Sequence, residues 1–384
     1  MHLYVHVPFC ARRCSYCDFS IAVRPRTPID EYNAALQREL TLKVSNHEFA
    51  ALETVYFGGG TPSRLGGAGI ATALNLIRNA APIAANAEIT IEANPDDIRA
   101  VTVAHWVRAG INRVSLGSQS FNDAVLQWMH RTHDARAIPR AIQILRDAGI
   151  DNISLDLIFA VPAHLGRSWT RDLEMSLDLA PNHISLYGLT IEPHTPVGRW
   201  KSRGMVVEGT EEVYEEEFLE SDRVLSAAGF EHYEVSNFAR PGLRSRHNSA
   251  YWSGVPYVGV GPSAHSFDGT TRSWNVAAYV EWTRRLHAGQ EVVAESEVLT
   301  EENRDAEEIY LGLRTSNGLR LRGSERDTVD PWIHSGWATV DHTGALRLTP
   351  LGWLRLDALA PNFAAQRARS HVLPLSATPS HCYI

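Results

Sequence analysis

Three cysteines stand within eight residues near the start of the chain, Cys10, Cys14 and Cys17, and the fourth, Cys382, lies far away. A short loop with Cys-x3-Cys-x2-Cys spacing can aim three thiolates at one point, which suits a soft metal or a metal cluster. In a reducing compartment that spacing serves no disulfide framework, so metal ligation is the stronger reading. A closed zinc site wants four ligands, and His6 or Asp18 would have to complete it with awkward geometry. A four-iron cluster on three cysteines instead keeps one iron open to an outside ligand. The spacing favours the cluster over zinc, with unrelated thiols the least favoured alternative. Cys382, beside His381 in the tail, reads as a bystander.

Other residues capable of chemistry recur at intervals. Gly58-Gly59-Gly60-Thr61-Pro62-Ser63 removes side chains where backbone could cradle a small polar group, although a tight structural turn would use the same residues. Glu92 and Asp156 each place a carboxylate in an apolar run, where burial demands a partner, structural or functional. Gln119 follows Gly117-Ser118, and Arg131 comes on the next helix.

The elements that must position these residues alternate between β-branched runs and amphipathic stretches, the pattern of consecutive βα units around a parallel sheet. Strands are expected at 3–7, 54–57, 88–93, 113–116, 153–159 and 183–189, with helices near 30–46, 69–80, 101–109, 168–179 and 211–228. Ile138, Ala141, Ile142 and Leu145 make one helical stripe before Gly149 ends it. Unusual residues gather at the strand-to-helix junctions, so chemistry should collect at one mouth, beyond the strands' C-terminal ends. The expected fold is α/β: a partial (β/α)6 barrel over 1–235, a loop-rich connector over 236–294, a smaller winged-helix-like α+β region over 295–365, and a frayed tail over 366–384.

Composition narrows the function classes. Lys+Arg is 36 against Asp+Glu 44, a net charge of −8, which gives no general footprint for nucleic acid. No run reaches the ~20 apolar residues of a membrane span, and no charged lead precedes an apolar block, so a cytoplasmic protein is expected.

The cysteine motif preceded by Tyr4-Val5-His6-Val7-Pro8-Phe9 resembles the radical S-adenosylmethionine (SAM) superfamily. The resemblance implies a [4Fe-4S] cluster on Cys10, Cys14 and Cys17 with SAM at the open iron. It assigns SAM contacts to Tyr4, Tyr16, Gly59, Gly60, Thr61, Glu92, Gln119, Arg131, Asp156 and Ile158. Across about residues 2–360 the chain is most similar to the oxygen-independent coproporphyrinogen III oxidase-like family, whose pattern includes His183-Ile184-Ser185-Leu186-Tyr187 and Thr190-Ile191-Glu192-Pro193. The oxidase itself carries a further cysteine where this chain has Phe19, and an N-terminal extension, whereas Tyr4 stands almost at the start here.

His247-Asn248-x-x-Tyr251-Trp252 resembles instead the HNxxYW signature of the heme chaperone branch. An imidazole can ligate heme iron and the aromatics can pack on the macrocycle, so His247, Tyr251 and Trp252 are the heme candidates; ordinary loop hydrogen bonding and core packing is the competing reading, and His265 is an alternative ligand. The resemblance therefore implies a monomer or dimer that binds heme and passes it to an acceptor hemoprotein such as a membrane respiratory enzyme, with no residue assigned a catalytic role. Its rival is a radical SAM enzyme that oxidatively decarboxylates coproporphyrinogen III or a related tetrapyrrole. Three positions depart from the family's pattern: Gly188 where Gln is frequent, His130 where Gly is usual, and Ala160-Val161-Pro162 in place of Gly-Leu-Pro.

Overall fold

The computed structural model describes residues 1–44, 51–323 and 325–372. The end of the first expected helix at 45–46, and His381 and Cys382 of the expected tail, lie outside the described residues. The chain divides into two compact units, Met1–Val298 and Leu299–Ile384.

In the first unit all six expected strands form: β1 (His2–Val7), β2 (Leu52–Gly59), β3 (Ile83–Ala93), β4 (Arg113–Gln119), β5 (Asn152–Phe159) and β6 (His183–Gly188). They pair parallel in chain order. Helices α1 (Ile29–Val44), α2 (Gly66–Ala80), α3 (Ala100–Ala109), α4 (Asp123–Trp128), α5 (Ala137–Asp147) and α6 (Trp169–Asp178) make the crossovers. The α5 stripe of Ile138, Ala141, Ile142 and Leu145 is buried, as its spacing requires.

Strand alternation gives the two faces of this sheet opposite chemistry. Leu3, Val5, Val7, Val55, Phe57, Ile89, Ile91, Val114, Leu116, Leu155 and Leu157 are all buried on one face. Each such side chain contributes about 1.5–3 kcal/mol against the helices. The opposite face carries Tyr4, Tyr56, Glu92, Ser115, Asp156 and Ser185, and the register sets Glu92 beside Ser115 and Asp156 beside Ser185. A concave polar face is thus bounded by an apolar shell.

Segment 236–294 differs from the connector its glycines suggest. It supplies β8 (Asn237–Ala239), β9 (Tyr257–Val260), β10 (His265–Phe267) and β11 (Thr271–Asn275), with β7 (Glu231–Glu234) just before it and β12 (Val293–Val298) at its end. The result is a twelve-stranded sheet in the order β12-β11-β10-β9-β1-β2-β3-β4-β5-β6-β8-β7, and β9 is a seventh parallel strand beside β1. Gly259 pairs with Tyr4 in β9, and the position requires glycine because a Cβ would lie 2.1 Å from the carbonyl oxygen of His265. Glu39 locks this addition to α1: its buried carboxylate accepts from the Gly261 amide at 2.8 Å, Asn275 Nδ2 at 2.6 Å and Trp282 Nε1 at 2.9 Å, and pairs with Lys43 at 3.1 Å. Helices α7 (Pro196–Ser202), α8 (Glu211–Ala227), α9 (Arg246–Trp252) and α10 (Tyr279–His287) complete the unit.

The second unit begins with α11 (Glu301–Arg314), whose Thr300 and Asn303 form a reciprocal cap. Then come β13 (Leu319–Arg320), α12 (Glu325–His334), β14 (Ala338–Val340) and β15 (Ala345–Leu348), the strands pairing in the order β13-β15-β14. After the one-turn α13 (Pro350–Trp353), α14 (Leu356–Val372) takes up residues 366–372, which the sequence suggests as frayed tail.

Candidate functional site

The cysteine loop leaves β1 and is tied down from several sides. Phe9 and Cys10 pair with Ala22 and Val23, the Ser15 amide donates to the Met129 carbonyl at 3.1 Å, and the Val197 amide donates to the Ser15 carbonyl at 2.9 Å. Cys10 is buried, with Sγ 3.4 Å from Thr61 Oγ1, while Cys14 and Cys17 are half-buried. Burial pushes the Cys10 thiol up to about 11 and also raises Cys17. All three line one cavity of about 480 Å³, within the usual range of small-molecule sites.

The same cavity is lined by Tyr16, Gly59, Gly60, Thr61, Glu92, Gln119, Arg131, Asp156 and Ile158, each of which the sequence singles out. The glycine turn is dictated partly by its neighbours. A Cβ on Gly60 would stand 2.7 Å from the Pro8 backbone, and one on Gly59, at φ +112°, would meet the His6 ring at 2.7 Å. Glu92 accepts from Tyr56 Oη at 2.9 Å and from the Gly59 amide at 3.2 Å. Burial outweighs those bonds and raises its carboxyl to about 7, with the Asp156 charge adding and the Arg113 guanidinium opposing. Asp156 accepts from Ser115 Oγ at 3.0 Å, and burial raises it as well.

Arg131 lines the cavity on the cysteine side. Its Nη2 donates to Asn94 Oδ1 at 2.5 Å and to the Gly117 carbonyl at 2.9 Å, and its Nη1 lies 3.5 Å from Cys14 Sγ. Gln119 holds φ +61°, and its buried Oε1 has no partner among the described residues. Its side-chain acceptor is left for a ligand's donor to satisfy, and the left-handed backbone beside the cavity is strain of the kind found at functional sites. Tyr16 and Ile158 close the wall, packing with Val125, Met129, Val161 and Leu189.

The donor set suits a cluster better than zinc. No three His, Cys, Asp or Glu side chains among the described residues converge on a single ion. Neither candidate fourth zinc ligand is available: His6 Nε2 bonds the Ser20 carbonyl at 3.1 Å, and Asp18 is paired with His194. Three thiols spread along one wall, with no fourth ligand, fit a cluster that divides its ligands among several irons.

Two groups of expected residues lie apart from the cavity lining. Tyr4 is not among the residues lining the cavity; it stacks on Tyr56, at 6.2 Å, and on His247, at 6.4 Å, and those two rings stack on each other at 5.0 Å. His247, Tyr251 and Trp252 lie on α9, which meets the sheet at Thr54 and Glu88, away from the cysteine mouth. His247 is 1% exposed, its Nδ1 is 2.7 Å from Thr54 Oγ1, its Nε2 is 3.0 Å from Tyr251 Oη, and its amide donates to Glu88 at 3.1 Å. Burial lowers this imidazole to about 3. With both ring nitrogens hydrogen-bonded to hydroxyls, His247 braces the inner face of the fold. His265 also lies outside the cavity, stacked on Trp274 at 5.8 Å. We expect His247→Ala to cost about 2–4 kcal/mol of stability in urea denaturation, from the void and the orphaned hydroxyls, while heme affinity stays unchanged.

Comparison with known proteins places the chain. Residues 4–170 match the Radical SAM superfamily. A Mycobacterium tuberculosis protein named heme chaperone HemW is 36% identical over 364 residues, covering 93% of each chain. The chain belongs to the HemW family of radical SAM proteins. The Escherichia coli HemW is 37% identical over 69% of each chain. A mitochondrial radical S-adenosyl methionine domain-containing protein of Bos taurus is 40% identical over 68% of this chain and 60% of that one. Among solved structures, the coproporphyrinogen III oxidase of Escherichia coli superposes with a TM-score of 0.80 over 95% of this chain and 90% of its own at 23% identity, which establishes the shared fold. The HemW family thus shares its architecture with the oxidase.

Asn94, Ser115, Tyr56 and Tyr187 also belong to the site or its support, and sequence reading assigns none of them a site role. The signal was present for three of them: Tyr56, Ser115 and Tyr187 alternate in phase with the inward side of their strands.

Proposed function

We propose that this chain binds heme and hands it to an acceptor hemoprotein, carrying a [4Fe-4S] cluster on Cys10, Cys14 and Cys17 with SAM at the open iron. The observation that carries the reading is the likeness to a heme chaperone across 93% of both chains. The cavity supports it: three thiols on one wall face Glu92, Gln119, Arg131 and Asp156. The bound cluster would supply an open iron for SAM's amino and carboxylate groups. Glu92 would accept from the ammonium, Asp156 would hold a ribose hydroxyl, and Arg131 would lend positive charge to the thiolate side. Among the described residues no helix is long and apolar enough to cross a membrane. We place the chain in the cytoplasm, meeting its acceptor, such as a membrane respiratory enzyme, as a separate molecule.

One observation favours a second reading. The residues expected to hold SAM are nearly all assembled in one cavity, which suits radical chemistry on a tetrapyrrole such as coproporphyrinogen III. An anaerobic heme titration of the cluster-reconstituted chain, followed by product analysis with SAM and reductant, separates the two. The chaperone reading predicts saturable one-to-one heme uptake with neither 5′-deoxyadenosine nor decarboxylated porphyrinogen formed in proportion to turnover. Catalytic release of both products, without heme uptake, would establish the enzyme.

A further inference from the structure

We infer that Arg167 is a positioning residue for the cavity: its buried guanidinium holds the two carboxylates that pin the left-handed ends of β4 and β5 on the cavity wall. The inference rests on the reading that this cavity binds SAM.

These two adjacent strands end in backbone that few side chains tolerate. Gln119 closes β4 at φ +61° and lines the cavity. Ala160 follows β5 at φ +56°, two residues beyond Ile158, which lines the cavity too. Ala160 stands where the family's pattern has glycine. An alanine has neither glycine's freedom nor a polar side chain to bond locally, so its surroundings must impose this backbone.

One carboxylate serves each strand end. Glu217, on α8, accepts from the Ala160 amide at 2.6 Å. Asp172, on α6, accepts from Ser120 Oγ at 2.7 Å and from the Phe121 amide at 2.9 Å, which holds the two residues that follow Gln119. Neither acid lines the cavity; the side chain of Asp172 is 3% exposed and that of Glu217 is 17% exposed, so each needs a counter-charge.

Arg167 supplies it to both. Its Nη2 donates to Glu217 Oε1 at 2.7 Å and Oε2 at 2.6 Å, and its Nη1 lies 3.8 Å from Asp172 Oδ2. The guanidinium is seated 4.7 Å over the ring of Trp169, whose Nε1 donates to the Glu217 carbonyl at 2.9 Å. An ion pair that merely tied α6 to α8 would need neither backbone amide. Here each acid gives an oxygen to the chain at or just beyond a strained residue. Without Arg167 the two acids lose their shared cation, the Ala160 amide loses its anchor, and the wall carrying Ile158 and Gln119 relaxes.

The test compares wild type with Arg167→Met and Arg167→Lys, each with and without Ala160→Gly. SAM affinity of the cluster-reconstituted proteins is measured by titration calorimetry, and amide exchange in the segments holding Ala160 and Phe121 is followed by mass spectrometry on the SAM-free chain. Arg167→Met should weaken SAM binding about tenfold and speed exchange in both segments. Arg167→Lys keeps the cation without the fork, so it should fold and lose less. Ala160→Gly should recover most of the lost affinity in either background, because glycine keeps the left-handed backbone without the clamp. Unchanged affinity in both Arg167 variants, or a loss that Ala160→Gly does not reduce, overturns the inference. Wild type that binds no SAM overturns the cofactor reading instead; exchange then decides the clamp alone, and unchanged exchange in the Arg167 variants overturns it.

Discussion

Replacing Cys14 by serine leaves a chain that folds but holds no cluster. Iron after anaerobic reconstitution should fall from about four per chain to near zero, and the broad visible absorbance should vanish. Serine keeps the size of the side chain, and Cys14 is half-buried with Arg131 Nη1 as its polar neighbour at 3.5 Å, so stability should move little. The effect on iron is large because three thiols are the whole protein donor set: His6 and Asp18 are engaged elsewhere and cannot substitute. The same loss is expected for Cys10 and Cys17. Full iron retention in Cys14→Ser would remove Cys14 from the ligand set.

Glu92→Gln carries the second large effect. The Glu92 carboxyl is raised to about 7 chiefly by burial, so without a cationic ligand the charged form is disfavoured in the folded state. A carboxyl raised in this way contributes stability that is present below the usual carboxylate range and is lost as pH rises through about 7. The ligand-free protein therefore loses up to about 3 kcal/mol over that window through this group, and the glutamine variant should be spared most of that loss. SAM binding runs the other way. Accepting from the SAM ammonium needs the ionised carboxylate, so affinity should rise with pH between about 6 and 8. Titration calorimetry should show Glu92→Gln binding SAM about ten- to a hundredfold more weakly, with that pH dependence gone. An unchanged pH dependence in the variant would mean that Glu92 does not meet the ligand's charge.

The barrel was legible because strand and helix periods in 1–235 are clean and each βα unit is locally encoded. The cysteine loop, the glycine turn and the inward carboxylates were legible because residue type and position along a strand suffice to gather them. What sequence reading missed depends on contacts across long separations. Gly259 looks like a loop residue until β9 lies against β1 and the His265 carbonyl stands where a Cβ would be. Glu39 looks like an ordinary helical surface acid, yet its partners Gly261, Asn275 and Trp282 sit 222 to 243 residues away. The 247–252 motif was read from residue types that suit heme, but its address depends on Thr54 and Glu88, which place His247 inside the fold. His130 was visible only as a departure from a glycine; its left-handed backbone and its place on the cavity wall came from the structure.

The central claim is that heme bound by this chain is delivered. It is tested most directly by loading the cluster-reconstituted protein with heme under anaerobic conditions and mixing it with a heme-free respiratory hemoprotein, with and without apomyoglobin as a scavenger of free heme. The account predicts that the acceptor gains heme and activity even when scavenger is in excess. If the scavenger takes all the heme and the acceptor stays empty, heme is released to solvent and the chain is not a heme chaperone.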